Sequence, residues 1–211
     1  MSSIILSTAY LAPVQYYAHF QNATEITMEQ HCHYMRQTYR TRCNIMAANE
    51  LLSLSVPVIK PTNIKTKTKD IRLSYDTPWQ ALHWKSIVSA YNASPYFEYY
   101  EDDFKPFYHK KFDFLMDFNS QLHKVVCDLA GIENTFKLSE EYVTPKTNQL
   151  DLREVIHPKK EFLANDPLFK PQPYRQVFSD RRGFSPNLSI IDLLFNKGPE
   201  SYLILEQSLK A

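Results

Sequence analysis

The sequence predicts a single α/β domain: a mixed, mainly parallel sheet covered by helices, with a proline-rich irregular segment and a C-terminal helical tail. Three observations point there. A continuous apolar run at residues 3–8 (Ile4, Ile5, Leu6) is followed by a helical and then an alternating segment, the order of a strand–helix–strand unit. Long segments of helical periodicity lie between residues 79 and 130, and the chain of 211 residues, 44% of them hydrophobic, is long enough for one core.

Each element follows from its residues. The first strand stops at the turn holding Pro13, and the helix after it places Tyr16, Tyr17 and Phe20 on one face. Residues 25–29 alternate polar with Ile26 and Met28, a half-buried second strand. Residues 51–59 form the clearest strand, with Leu52, Leu54, Val56 and Val58 on one side and Pro57 marking an edge or an early end. Residues 60–69 carry Lys60, Lys65, Lys67 and Lys69 and read as an exposed, mobile loop. A strand over 70–75 precedes Thr77, a candidate cap with Pro78 at the first helical position. From Trp79, the residues Leu82, His83, Ser86, Ile87, Ala90 and Tyr91 fall at helical spacing.

A short helical segment follows Pro95. A long amphipathic pattern then runs over 106–130 and closes at Gly131, a natural C-cap. Residues 132–139 read as a strand. Pro145, Pro158, Pro167, Pro171 and Pro173 make 144–174 irregular, and residues 187–195 and 199–209 read as two closing helices.

Composition removes several function classes. Twenty-four Lys and Arg against 23 Asp and Glu leave a formal charge of +1, which gives no field to gather nucleic acid. The three glycines, Gly131, Gly183 and Gly198, are far apart, so neither phosphate-cradling glycine fingerprint is present. Cys32, Cys43 and Cys127 form no CxxC pair, and the expected home is the reducing cytoplasm. No run of 18 apolar residues predicts a membrane span, and residues 1–12 lack the pattern of a signal peptide.

The densest polar cluster is residues 28–45, MEQHCHYMRQTYRTRCNI, with Arg36, Arg40 and Arg42 beside Tyr34 and Tyr39. Planar guanidinium groups bind phosphate or carboxylate in two contacts, and the aromatic rings suit a base or a sugar. The plain alternative is a solvated loop whose arginines pair with acids. His31, His33 and Cys43 allow a metal reading, but no fourth ligand stands at suitable spacing, and no metal or other cofactor is expected. Cys32 or Cys43 as a nucleophile with His31 or His33 as base is a further option, against the plain role of a core thiol. His83, four residues after Trp79, is the expected general acid or base, unless it is a structural histidine packed on that ring.

Three stretches carry a resemblance. They are residues 8–20 (TAYLAPVQYYAHF), the loop 37–45 (QTYRTRCNI), and the tail, Tyr174-Arg175-Gln176-Val177-Phe178 and then 183–200 (GFSPNLSIIDLLFNKGPE). Together they resemble the WbqC-like protein family over nearly the whole chain. The resemblance implies a cytoplasmic bacterial protein whose relatives are associated with O-antigen and other surface-polysaccharide biosynthesis. Joined to the residues, it places the ligand crevice after the first strand, with Tyr10, Pro13 and Tyr16 in it and Gln37, Arg40 and Arg42 approaching from the next loop. From the tail, Asn187 or Ser189 caps a helix and Asp192 pairs with an arginine or handles a proton. The expected function is a transferase on a nucleotide-activated sugar or surface-glycan precursor, a small anionic partner. The alternative is a scaffold, either a homo-oligomer or a docking protein for a biosynthetic enzyme, using Tyr96, Phe97, Tyr99, Tyr100, Phe104 and Phe107.

Overall fold

The fold is built on strand β1, Ser3–Ser7, whose Ile4, Ile5 and Leu6 are all buried, as expected of a strand with neighbours on both edges and cover on both faces. A computed structural model describes residues 3–60, 63 and 65–210 of the chain. After β1, helix α1 (Val14–Asn22) returns the chain to β2 (Glu25–Glu29), which pairs in parallel with β1 from Ser3↔Glu25 to Ser7↔Glu29. Two short strands complete the sheet: β5 (Lys137–Leu138) beside β2, and β6 (Gln149–Asp151) on the other side of β1. The order is β5-β2-β1-β6 and every pairing is parallel, so all four carboxyl ends lie along one edge.

Strands β3 (Arg42–Met46) and β4 (Leu51–Ser55) form a separate antiparallel pair. The alternation in 51–59 is therefore a strand, but in the smaller sheet and ending at Ser55. Its partner β3 lies in what sequence reads as a loop, because the alternation of Arg42, Cys43, Asn44 and Ile45 is only four residues long and follows directly on the arginine-rich segment.

Helix α2 (Trp79–Tyr91) buries Trp79, His83, Ile87, Ala90 and Tyr91, and it starts directly after Pro78 with no side-chain cap from Thr77. Helix α3 spans Phe97–Phe104. The long amphipathic pattern of 106–130 is broken in two: a 3-10 turn at Lys105–Tyr108, then α4 (Leu115–Ala130). Tertiary pairing overrides the helical period here. Leu73 N–H donates to the Asp113 carbonyl (3.0 Å) and Leu115 N–H to the Ile71 carbonyl (2.9 Å), holding 113–115 extended along 71–73. Segment 70–75 makes only isolated bridges, Val58↔Leu73 and Arg72↔Phe114, instead of a strand.

The loop 60–69 is less free than its lysines suggest. Residues 61, 62 and 64 lie outside the described residues, but Lys67 bridges to His33 and Thr68 is fully buried. The proline-rich segment holds β6 and the one-turn helix α5 (Phe162–Asn165); the turn α6 (Ser179–Arg182) follows it. The tail forms α7 (Ile190–Lys197) and α8 (Ser201–Gln207), and α7 is buried along nearly its whole length among α1, α3 and α4.

The turn from α7 to α8 depends on Gly198, whose φ of +54° favours glycine and where a Cβ would sit 2.4 Å from the Tyr96 ring. Gly198→Ala is expected to cost about 3 kcal/mol, lowering the melting temperature by roughly 6–12 °C. Adding Tyr96→Ala should recover the steric part in a double-mutant cycle, and a Gly198→Ala variant as stable as the parent would contradict the close approach.

Candidate functional site

The crevice expected after β1 is closed. Pro13, the residue before helix α1, has no side-chain bond to offer, and the tail occupies the amino end: Val14 N–H donates to the Leu188 carbonyl (3.0 Å) and Gln15 N–H to Asn187 Oδ1 (3.0 Å). Pro13 bridges to Ser189, and the Ser189 hydroxyl donates to the Leu11 carbonyl (2.7 Å). Asn187 thus caps α1 across the fold, not the helix that follows it in sequence, and Ser189 laces the two segments. The free amides that would make a helix start attractive to an anion are already paired.

Tyr10, His83 and Asp192 lie in the core. The Tyr10 hydroxyl bonds His83 Nδ1 (3.0 Å) and the Tyr108 hydroxyl (2.9 Å), while the Trp79 ring packs edge-on to His83 at 5.1 Å. Burial lowers the His83 pKa to about 4, so the ring is neutral at pH 7. It is the packed histidine of the plain alternative. Asp192 has no arginine partner among the described residues; its Oδ2 accepts from Tyr174 (2.8 Å) and Gln176 Nε2 (2.8 Å).

Burial raises the Asp192 pKa from 3.8 to about 6, against the opposing hydrogen bonds of Tyr174 and Gln176. A carboxyl whose folded pKa is raised contributes stability that is full below its unfolded value and lost as pH rises through the folded one. Asp192→Asn is therefore expected to gain on the wild type progressively between about pH 4 and 6, by up to about 3 kcal/mol, with the difference flat above. Urea unfolding of both proteins at several pH values checks this; a pH-independent difference would refute it.

The open site lies elsewhere on the same layout. A cleft of about 870 Å³ runs across the carboxyl ends of the sheet, lined by residues that follow β2 (His31, Cys32, His33), β5 (Glu140, Glu141, Tyr142) and β6 (Arg153, Glu154), together with Arg40, Lys67, Met35 and Asp151. Sheet order explains its position. The chain leaves β1 toward β2 and β5 and returns on the opposite side as β6, and such a reversal leaves a crevice at the carboxyl edge.

Glu29, the last residue of β2, fixes three walls of the cleft at once. It is wholly buried; Oε1 accepts from the His31 N–H (2.5 Å), the Cys32 N–H (3.1 Å) and the Ser139 hydroxyl (3.1 Å), and Oε2 from the Val143 N–H (2.6 Å) and Arg153 Nη1 (3.4 Å). Arg153 in turn grips Asp151 through Nε (2.8 Å) and Nη2 (2.7 Å), and these bonds to Asp151 raise its pKa further. Its guanidinium lies 4.9 Å from the centre of the Tyr142 ring, holding an otherwise 58% exposed aromatic over the cleft.

Arg40 differs from Arg153 in lacking a firm acidic partner. Its side chain is 3% exposed; Nη2 donates to Ser7 Oγ (2.8 Å) at the end of β1 and lies 3.7 Å from Cys32 Sγ, and Nη1 reaches Thr38 Oγ1 at 3.4 Å. The nearest carboxylate, Glu154, is 3.7 Å away and 47% exposed, and Arg40 Nε is buried with no partner. A buried guanidinium so incompletely paired is a candidate for holding an anion.

The four groups expected to converge therefore do not. Arg40 lines the cleft; Arg42 lies on β3, donating to Ser55 Oγ (3.3 Å), and neither His83 nor Asp192 borders it. Gln37 is exposed, with φ of +60°, and accepts from Lys159. Tyr16 donates to Met28 Sδ (3.7 Å) and borders, with Arg40, a void of about 20 Å³, room for one water molecule. His31 and His33 line the cleft, but Cys43 is fully buried on β3, where burial pushes its thiol pKa up. No group of three or more metal-ligating side chains occurs among the described residues. Sequence reasoning missed Glu29 as an organiser and missed Arg153 and Glu154, because the three residues of β6 carry no period that marks a strand end.

Of the aromatic residues offered as a docking face, Phe97 and Phe104 are buried against Phe195, Phe107 stacks on Phe112, and Tyr96 stacks on Tyr100. Of the six, only Tyr99 is largely exposed, at 76%, with its ring tilted against Tyr96.

A parallel sheet with a charged cleft across its carboxyl ends defines an α/β domain with a candidate ligand crevice. The chain belongs to the WbqC-like protein family, whose model matches residues 8–166. That range contains Glu29, Arg40 and Arg153 and stops short of the tail motif. The chain is similar to uncharacterised protein Rv1507c of Mycobacterium tuberculosis, 25% identical over 189 residues that cover 80% of this chain and 81% of that protein. No solved structure matches significantly. No helix among the described residues is long and apolar enough to cross a membrane.

Proposed function

We propose that this protein is a cytoplasmic transferase that acts on a nucleotide-activated sugar or a related surface-glycan precursor, bound in the cleft at the carboxyl edge of the sheet. Arg40 carries the reading: a buried cation, its side chain 3% exposed, anchored at the end of the central strand, with its nearest carboxylate at 3.7 Å on the half-exposed Glu154. Tyr142, held over Arg153, supplies a face for a ring. The association with surface-polysaccharide biosynthesis that the family resemblance implies supplies the sugar half of the proposal, and three buried, unbridged cysteines suit a reducing compartment.

In this reading Arg40 and Lys67 neutralise the charge that builds on the departing phosphate. Glu154, half-exposed and 3.7 Å from Arg40, takes the proton of the attacking hydroxyl or amine as its heteroatom bonds to the anomeric carbon and the carbon–oxygen bond to phosphate breaks. The proton-handling role thus moves from His83 and Asp192 to a residue of the cleft. A panel of nucleotide-sugars tested by thermal shift is expected to contain one that raises the melting temperature by about 5–10 °C at a hundredfold excess over its Kd. A folded sample that responds to none of them would overturn the proposal.

A further inference from the structure

The charges of the cleft are not those of a simple phosphate site. Its permanent cations are Arg40, Lys67 and Arg153, three against the four carboxylates of Glu140, Glu141, Asp151 and Glu154. Asp151 and Arg153 satisfy one another, and Glu154 faces Arg40. Lys67, beside His31 Nδ1 at 3.4 Å, remains with Glu140 and Glu141, so the carboxylates are in excess by one: both glutamates are exposed, both line the cleft, and neither joins an ion pair among the described residues. A purely anionic ligand would meet these two carboxylates as repulsion.

The two unlike charges also lie at different places along the sheet. Arg40 is tied to Ser7 at the end of β1, whereas Glu140 and Glu141 follow β5 by way of Ser139, whose hydroxyl accepts from the Gln30 N–H at 3.1 Å. In the order β5-β2-β1 these anchors are two strand spacings apart, about 10 Å. Arg40, the two glutamates and Tyr142 all line the one cleft, and a separation of that order suits one sugar phosphate.

We propose that the ligand of the cleft carries an ammonium as well as a phosphate: an amino sugar whose amine meets Glu140 and Glu141 while its phosphate meets Arg40. The inference rests on the anion-binding reading above and narrows its substrate class. The acidic pair alone would be no more than a solvated turn. The buried, partly unpaired guanidinium in the same cleft marks it as a binding site and fixes which end of the ligand is negative.

Calorimetric titration of the full chain, in EDTA and at a pH where the amine is protonated, tests this with glucosamine 1-phosphate, N-acetylglucosamine 1-phosphate and glucose 1-phosphate. These probes need no knowledge of the base. Glucosamine 1-phosphate is expected to bind about fivefold more tightly than the other two, and the preference to vanish in the doubly substituted Glu140→Gln, Glu141→Gln protein. Both positions are exposed, so an unchanged melting temperature will certify the variant. Equal binding of all three probes to the wild type, lost in Arg40→Met, would overturn the amine inference and leave the anion reading standing. A preference that survives the double substitution would also overturn it. Binding of none would remove both.

Discussion

Replacing Arg40 by methionine is expected to weaken ligand binding strongly while leaving stability intact or raised. The charge-assisted bonds it offers a phosphate are worth about 2–3 kcal/mol, a roughly 30- to 150-fold rise in Kd. The opposite sign for stability has a separate cause. Arg40 is buried with an orphaned Nε and only a partly exposed carboxylate at 3.7 Å, so its desolvation is poorly compensated in the free protein. Methionine fills similar volume without that penalty, and the melting temperature should stay within about 3 °C of wild type or rise. Arg40→Lys keeps the charge but loses the planar fork and should recover only part of the affinity. Calorimetry with the responding nucleotide-sugar, paired with thermal unfolding, reads both quantities. A variant that binds normally, or one that unfolds cooperatively only far below the parent, would show Arg40 to be architectural.

Glu29→Gln should be the most damaging single-atom exchange in the cleft. An amide can replace only one of the two accepting oxygens, so its NH2 must face backbone donors, from His31 and Cys32 on one side or from Val143 on the other. The exchange also removes the charge buried beside Arg153. Breaking a buried pair and stranding donors costs about 3–5 kcal/mol, which for a chain of this length lowers the melting temperature by roughly 6–20 °C. The double variant Glu29→Gln, Arg153→Met should be less damaged than the sum of its singles, since the cation is no longer left beside a neutral amide, while the loss of its bonds to Asp151 is already counted in the Arg153→Met single. Denaturant unfolding of the four proteins measures the coupling. A loss below about 1 kcal/mol for Glu29→Gln would mean that the walls are held by something else.

Much of the architecture was legible before any coordinates. The β1–α1–β2 unit, the helix from Trp79, the Gly131 cap in its left-handed conformation and the tail helices follow from periodicity and turn chemistry, since each is encoded in adjacent residues. What failed was non-local. Residues 113–115 are extended because they pair with 71–73, and the short β6 is a strand because β1 offers it a free edge. No window of sequence contains either partner.

The candidate site divides the same way. The arginine-rich segment after β2 was visible as an anion-binding candidate, and Arg40 does line the cleft. Its companions were misjudged because burial and pairing are properties of the packed state. The tail that looked like half of a site closes the amino end of α1, and His83 meets Tyr10 from 73 residues away.

The sequence by itself determined the α/β class, the family resemblance and the presence of a guanidinium cluster next to an early strand. Only the tertiary structure decided which arginine is left short of a counter-ion, which is neutralised, and where the opening lies. Charge type is a property of one residue, whereas compensation depends on which carboxylates the folded chain brings within reach.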